Sequence, residues 1–127
     1  MSWKAKREKV NEILKFRVIP ILRKEGFKGS FPHFRRQNGK HIDIIGFQFS
    51  QWGPQFCIEI ALAPIDGIKL QDGKFIPPEK VKHYHTGLRT RIGPPTFDFE
   101  HENFAGVCEA VIISLDEARA WWSKNKK

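Results

Sequence analysis

The chain has 127 residues, 40% of them hydrophobic and 13% aromatic, with a formal net charge of +8. This apolar content is too high for a disordered chain, and no run reaches the roughly 18 apolar residues of a membrane span. The length predicts one domain, residues 1–127, with a core of its own. The basic start MSWKAKREKV leads into no apolar segment, so we expect no signal peptide and a cytoplasmic protein.

The positive charge is concentrated at the two ends of the chain. Residues 1–28 hold nine Lys or Arg residues against three Glu residues, whereas residues 29–123 hold ten basic and eleven acidic residues. Charge of this kind draws a protein toward nucleic acid or acidic partners. The basic residues of the first turns, which are the candidates for phosphate contacts, are Lys4, Lys6, Arg7 and Lys9.

An apolar stripe of helical period overlaps this basic start and extends beyond it. Its members are Val10, Ile13, Leu14, Val18, Ile21 and Leu22. The period predicts a helix over about residues 3–25. Pro20 cannot donate a hydrogen bond to the carbonyl of Phe16, so we expect a kink or a break there. The following Gly26-Phe27 is typical of a helix end.

Three strands of an antiparallel meander are predicted next. The first is FPHFRRQ, and the Asn-Gly pair behind it favours a tight hairpin. The second is HIDIIGFQFSQW, whose apolar phase slips between Ile44 and Ile45; a bulge or burial on both faces would explain the slip. The third is QFCIEIALA, and its apolar side carries Phe56, Ile58, Ile60 and Leu62.

The chain then makes a long Pro/Gly/Asp-rich excursion over residues 64–82, with a small hairpin expected around Asp72-Gly73. Two further strands are predicted in HYHTGLRTRIG and TFDFE, separated by Gly93-Pro94-Pro95. The end of the chain has helical period from Val107 to Trp122. A strand through residues 107–113 followed by a shorter helix is the alternative, because Ser114 with Glu117 fits a capping box.

These elements predict an α+β fold. We expect one antiparallel sheet of about five strands, with the N-terminal and C-terminal helices packed on one of its faces.

The segment from His83 to Gly93 is the densest in chemistry-bearing side chains. If it is a strand, then Leu88 and Ile92 face the core, and the opposite face carries His83, His85, Arg89 and Arg91. Two His residues in that phase could bind a metal ion together with Glu59 or with a carboxylate of residues 98–102. The alternative is a solvent-facing side of an ordinary strand, and this alternative is favoured because no third ligand has the right spacing.

An anion site is the better-supported hypothesis for the same segment. Arg89 and Arg91 in phase, with Arg35 or Arg36 on the first strand, would form a cationic groove for a carboxylate or a phosphate. Internal ion pairing with Glu59, Asp43 or Glu100 is the alternative. Two adjacent guanidinium groups repel each other, so an anion of one kind or the other should lie between them.

The sequence contains no complete catalytic motif. It lacks a nucleophile elbow, a phosphate loop and a dinucleotide fingerprint, and it implies no cofactor. Cys57 and Cys108 lie among apolar neighbours and are expected to be buried free thiols. A carboxylate pair such as Glu59 with Asp98 keeps a hydrolase-like enzyme open as an alternative, but we expect a protein without enzymatic activity.

A non-specific nucleic-acid binder is another alternative. Basic helix faces would contact phosphates, and an exposed Trp52 could stack on bases, whereas Trp122 is in phase with the core. No helix-turn-helix, zinc-finger or RNP-type motif supports this function, so it depends on charge alone.

The order of features resembles the bacterial domain-of-unknown-function family 4304. The matching features are the basic N-terminal helix ending in Gly26-Phe27, then Phe34-Arg35, the Phe47-Gln48-Phe49-Ser50 strand, and Leu88-Arg89-Thr90-Arg91-Ile92-Gly93. The resemblance implies a small α+β domain with no established activity, cofactor or catalytic residue. The loose association of such domains with toxin–immunity neighbourhoods favours a protein-binding module, of an immunity type among others. The tail departs from the family, because Trp121-Trp122 leads directly into a short lysine-rich end.

Overall fold

We describe a computed structural model of the protein, in which residues 2–126 are defined; Met1 and Lys127, the ends of the predicted domain, lie outside the described residues. Helices at both ends flank a run of strands. The elements are α1 (Trp3–Arg17), α2 (Ile19–Lys24), β1 (Lys28–Ser30), β2 (His33–Asn38), β3 (His41–Phe49), β4 (Gln55–Pro64), β5 (Ile68–Lys69), β6 (Phe75–Ile76), β7 (Arg89–Asp98) and α3 (Phe104–Asn125). Two short 3-10 helices, Pro78–Lys80 and His83–His85, lie between β6 and β7.

Five strands form one antiparallel sheet in the order β1-β2-β3-β4-β7, and β5 pairs with β6 in a separate hairpin. The α+β prediction is therefore confirmed, including the hairpin around Asp72-Gly73. No helix among residues 2–126 combines the length and the apolar character needed to span a membrane.

The predicted N-terminal helix is two helices. α1 ends where the Val18 amide donates to the Leu14 carbonyl at 2.8 Å, and α2 begins at Ile19. Pro20 lies in the first turn of α2. Backbone amides in the first turn have no acceptor within the helix, so the missing N–H of proline costs no hydrogen bond there. The break expected at this proline is confirmed, and it turns the chain so that both helices contribute to one core.

The main core lies between the sheet and the three helices. It contains the apolar side of β4 together with the α1 stripe and the buried side of α3; its central members include Val10, Leu14, Phe34, Ile45, Ile58, Ile60, Ile92, Val111, Leu115 and Trp122. Trp122 is buried as predicted, and its indole N–H donates to the Ala61 carbonyl at 3.1 Å. Cys57 and Cys108 are buried free thiols, which confirms that prediction.

The opposite side of the sheet, which we call the outer face, is covered in part by the excursion. Residues 65–88, which we call the strap, close a second small core of Ile42, Ile44, Ala61, Ala63, Ile76 and Val81. β3 is paired with β4 without a bulge, so the phase slip at Ile44–Ile45 reflects a strand buried on both faces. This burial explains why β3 is apolar at consecutive positions.

Two sequence predictions are wrong in detail. Residues 83–85 form a 3-10 helix in the strap and are not part of a strand. Residues 89–98 form a single strand, β7, in which Gly93-Pro94-Pro95 lies inside a bulge and does not separate two strands. The helix predicted from Val107 to Trp122 is confirmed, and the alternative of a strand through residues 107–113 is wrong. The Ser114 hydroxyl caps no helix but donates to the Ala110 carbonyl within α3 at 2.7 Å.

The buried position of Ile60 gives a direct test of this packing. Ile60 is fully buried opposite Ile45, so Ile60→Asp should lower the free energy of unfolding by several kcal/mol, on the order of the whole stability of a small domain. Ile60→Val, the control, should cost only about 0.5–1.5 kcal/mol. Urea denaturation measures both, and a stable Ile60→Asp protein would show that the strand phase is wrong.

Candidate binding site

The strap is attached to the outer face by a buried histidine. His83, in the second 3-10 helix, is 3% exposed, and its Nδ1 lies 2.6 Å from Oε1 of Glu59 on β4. Beneath the ring lies Gly46 on β3, where an added Cβ would be 2.2 Å from the ring Cδ2. His83 therefore fits against the sheet only because a glycine is present at that position, and Glu59 supplies the hydrogen bond that a buried imidazole needs.

Glu59 also supplies the anion that was expected beside the β7 arginines, Arg89 and Arg91. Arg89 Nη1 is 3.6 Å from Glu59 Oε1, so the anion beside Arg89 is an internal carboxylate. Arg89 and Arg91 pair with Ala61 and Glu59 of β4 and lie on the outer face, as strand alternation predicts. The prediction that Leu88 faces the core is wrong, because Leu88 precedes β7 and is exposed, whereas Ile92 is buried.

His33 on β2 is a member of this site that sequence reasoning missed. Its ring stacks on that of His83 with centroids 5.8 Å apart, and its buried Nδ1 has no hydrogen-bond partner within residues 2–126. Burial, together with the charges of Lys82, His83, Arg35 and His85, lowers the pKa of His33 from 6.5 to about 4. In the sequence His33 is one polar residue of a short strand, and only the packing of the strap onto β2 distinguishes it.

His83 and His85 lie in different environments. The His85 Nδ1 accepts a hydrogen bond from the Lys82 amide at 2.9 Å, while His83 contacts Glu59. Burial is the main cause of a lowered pKa at His85, and Lys82 and Lys74 add to it. The in-phase pair that the metal hypothesis required is therefore wrong, since residues 83–85 are helical. Across residues 2–126, no three His, Cys, Asp or Glu side chains are grouped so that they could hold a metal ion.

Arg35 and His85 line a groove at the edge of the strap, which we call the basic groove. The groove has a volume of about 580 Å³, and its charged and aromatic lining residues are Arg35, Lys74, Phe75, Glu79, Lys80, Lys82, Tyr84 and His85. Arg35 Nε donates to the Val81 carbonyl at 2.9 Å, which fixes its guanidinium at the junction of β2 and the strap. Phe75 and Tyr84 are 55% and 52% exposed, so two aromatic surfaces border the same cations.

The arginines of the predicted groove are thus divided among separate places. Arg89 is paired with Glu59, Arg35 lines the basic groove, and Arg91 lines a smaller cleft at the far end of the outer face. Glu100, the other predicted partner, accepts a hydrogen bond from Lys6 through its backbone carbonyl. The structure brings His83, Glu59 and Arg89 into contact, and Arg91 lies directly across the strand pair from Glu59 without forming an ion pair with it.

The basic residues of α1 are only partly free for phosphate contacts. Lys4 and Lys9 are exposed, but Lys6 donates to the Glu100 carbonyl, and the Arg7 guanidinium lies 4.7 Å from the centre of the Phe49 ring. Trp52, at the tip of the β3–β4 hairpin, is 89% exposed as predicted. Phe49, the last residue of β3 in the same hairpin, contacts Arg7, so this hairpin lies beside the N-terminal part of α1.

The fit of His83 over Gly46 can be tested by a double-mutant cycle. Gly46→Ala should lower the free energy of unfolding by about 1–3 kcal/mol, because the new methyl group overlaps the buried ring. In a His83→Ala background the same change should cost less, by about 0.5–3 kcal/mol. Gly106→Ala in α3, where no atom lies within 4 Å of the added Cβ, is the control and should not destabilise. Equal costs of Gly46→Ala in both backgrounds would contradict this packing.

The depressed pKa of His33 predicts how stability depends on pH. The unfolded chain takes up this proton near pH 6.5, whereas the folded protein takes it up only near pH 4. The free energy of unfolding should therefore fall as the pH is lowered through that window, and His85 contributes with the same sign. In His33→Gln the fall should be shallower in urea melts at stepped pH. A His33 ring that titrates near its ordinary pKa in NMR spectra would contradict the prediction.

Comparison with known proteins gives a family and no activity. A family model described as "Domain of unknown function (DUF4304)" matches residues 18–127, which include α2, the whole sheet, the strap and α3. No curated protein and no solved structure matches the chain. The matched range contains the Gly26-Phe27, Phe34-Arg35 and Leu88–Gly93 features on which the resemblance was based. The chain belongs to the DUF4304 family of domains of unknown function.

Proposed function

We propose that the protein is a non-enzymatic binding module whose basic groove receives an acidic segment of a partner protein. The observation that carries the proposal is the convergence of Arg35, Lys74, Lys80 and Lys82 on one groove that contains a single carboxylate, Glu79. Lys74, Lys80 and Lys82 form no ion pair with any of residues 2–126. These lysines are therefore available to an external anion.

The groove suits discrete carboxylates better than a phosphate backbone. Glu79 lies among the lysines and would repel a continuous row of phosphates, whereas separate acidic side chains can contact the lysines on either side of it. Phe75 and Tyr84 offer apolar area beside the cations, as the aromatic anchors of protein interfaces do. An acidic peptide with an apolar residue among its carboxylates fits this combination, including the segment that an immunity-type module would bind.

Burial of the Glu59–His83 pair favours binding over catalysis. His83 is the residue of the site best placed to act as a general base, yet it is 3% exposed and its Nδ1 is engaged by Glu59. A general base must come within hydrogen-bond distance of its substrate. Because the strap covers the pair, the Glu59–His83 contact supports the groove, and this burial favours a binding module over the hydrolase-like alternative.

The test uses a fluorescein-labelled peptide in which leucine residues alternate with pairs of glutamates, and a random single-stranded oligonucleotide of equal length. A Lys74→Gln/Lys80→Gln/Lys82→Gln variant should bind the peptide about tenfold more weakly, since three partly screened charge contacts of about 0.5 kcal/mol each are lost. A Lys4→Gln/Lys9→Gln/Lys24→Gln variant removes the same charge from exposed helix positions and should keep the wild-type affinity.

The opposite pattern would overturn the proposal. If the oligonucleotide binds more tightly than the peptide, with an affinity that falls steeply with salt and is lost in the helix variant, the nucleic-acid alternative is correct. Equal losses of peptide binding in the two variants would show that net charge, and not the groove, attracts the ligand.

A further inference from the structure

A second cleft lies on the part of the outer face that the strap leaves uncovered. Its volume is about 260 Å³, and its polar lining residues are Gln48, Ser50, Gln55, Cys57, Arg91 and Thr96. Phe49 and Phe56 also border it, but their rings belong to the helix-side core. A ligand in the cleft would therefore meet one cation, two amides and two hydroxyls beside apolar surface, and no lining carboxylate.

The β7 bulge builds one wall of this cleft. Ile92 pairs with Ile58 and Phe97 pairs with Phe56, so four residues of β7, Gly93 to Thr96, lie opposite Cys57 alone. Gly93 has a positive φ of 73°, and its amide donates to the Glu117 carboxylate on α3 at 3.1 Å. This hydrogen bond to α3 fixes the bulge. The bulge places Thr96 in the lining of the cleft, as bulges at sheet edges commonly change the direction of a side chain.

Arg91 supplies the charge of the cleft. Its strand neighbour Glu59 is engaged by His83 and Arg89, and no carboxylate of residues 2–126 lies within ion-pair distance of Arg91. Burial raises the pKa of the Cys57 thiol, and the charge of Arg91 opposes this rise. The opposing effect shows that the Arg91 guanidinium lies close to Cys57 in the cleft. An exposed arginine beside a polar cleft with no internal partner is suited to a ligand anion.

The neighbouring polar groups can add donors to this charge. The Gln48 Oε1 accepts from the Cys57 thiol at 3.8 Å, which leaves the Gln48 amide nitrogen free to donate. The Ser50 hydroxyl oxygen accepts a hydrogen bond from the Trp52 amide at 3.1 Å, so the hydroxyl proton remains available to donate to a ligand. Gln55 differs, because its amide nitrogen already donates to Asp98 at 3.3 Å.

We propose that this cleft binds the C-terminal carboxylate of a peptide, with Arg91 as its ion-pair partner and Gln48, Ser50 and Thr96 as hydrogen-bond donors. One guanidinium balances the single charge of a carboxylate, whereas a phosphate group carries about 1.5 to 2 negative charges at pH 7. The small volume and the amide and hydroxyl lining fit one terminal residue with its peptide group. The site is separate from the basic groove and does not depend on it.

The experiment compares N-acetyl-diglycine as a free acid with the same peptide as a C-terminal amide, by ¹H–¹⁵N NMR titration of the intact protein. The free acid should shift the Arg91 Nε and Gln48 side-chain amide signals, and the amide should not. Arg91→Gln should weaken binding at least about tenfold, the loss expected for one charge-assisted pair. Its melting temperature should match the wild type, since Arg91 forms no ion pair with residues 2–126.

Lys24→Gln is the control, because it removes the same charge from an exposed position on α2 and leaves the cleft and the Glu59 contacts intact. It should keep the wild-type affinity for the free acid. The proposal is overturned if the free acid causes no shifts, if the amide binds as well as the acid, if Lys24→Gln loses binding equally, or if inorganic phosphate binds more tightly than the acid. The triple lysine variant of the basic groove should bind the free acid normally, so the two proposals fail independently.

Discussion

The contact between His83 and Glu59 is the constraint on which the outer face depends. β3 and β4 are apolar on both sides, so the sheet needs a second cover besides the helices. The strap supplies this cover with Ile65, Ile68, Leu70, Ile76 and Val81. Glu59 lies in the middle of this surface, where a carboxylate without a partner would be costly. His83 satisfies it and brings the strap down over Gly46. This buried polar contact acts together with the hydrogen bonds from Arg35 to the Val81 carbonyl and from Thr86 to the Leu62 carbonyl, which also hold the strap against the sheet.

The position of the strap in turn places the charges that a partner would meet. Lys74, Lys80 and Lys82 all lie on the strap, and they face Arg35 of β2 only because His83 and Val81 are held against the sheet. The strap ends before Arg91, so the outer face is divided into a covered part with the basic groove at its edge and an uncovered part with the polar cleft. Both candidate sites are consequences of how far the strap extends.

The periodicity of the sequence correctly predicted those features of the fold that depend only on local strand and helix geometry. The α+β class, the hairpins, the break near Pro20 and the common face of Arg89 and Arg91 follow from alternation and turn chemistry. The strand predicted at His83 is wrong because the alternating polar and apolar residues imitate a strand. In the structure, hydrogen bonds between Lys82 and His85 close a 3-10 turn, and His83 packs over Gly46, which is distant in the sequence. His33 was missed for the same reason, since its burial comes from the strap and not from its own strand. Family membership, in contrast, was visible in short local features.

The distribution of charge along the sequence proved a poor guide to the distribution in space. The basic ends suggested that partners would meet α1, but Lys6 and Arg7 are engaged by Glu100 and Phe49 within the fold. The middle of the chain is nearly neutral because its basic and acidic residues balance in number. Folding separates them: Asp43 is buried against Arg36 and Lys126, Glu59 is buried against His83, and the lysines of the strap remain at the surface. Because Asp43 and Glu59 are engaged in internal pairs, part of the positive charge of this nearly neutral segment stays at the surface without an acidic partner. The proposed basic groove depends on that charge, whereas the exposed Lys4 and Lys9 of α1 are the cations on which the nucleic-acid alternative depends.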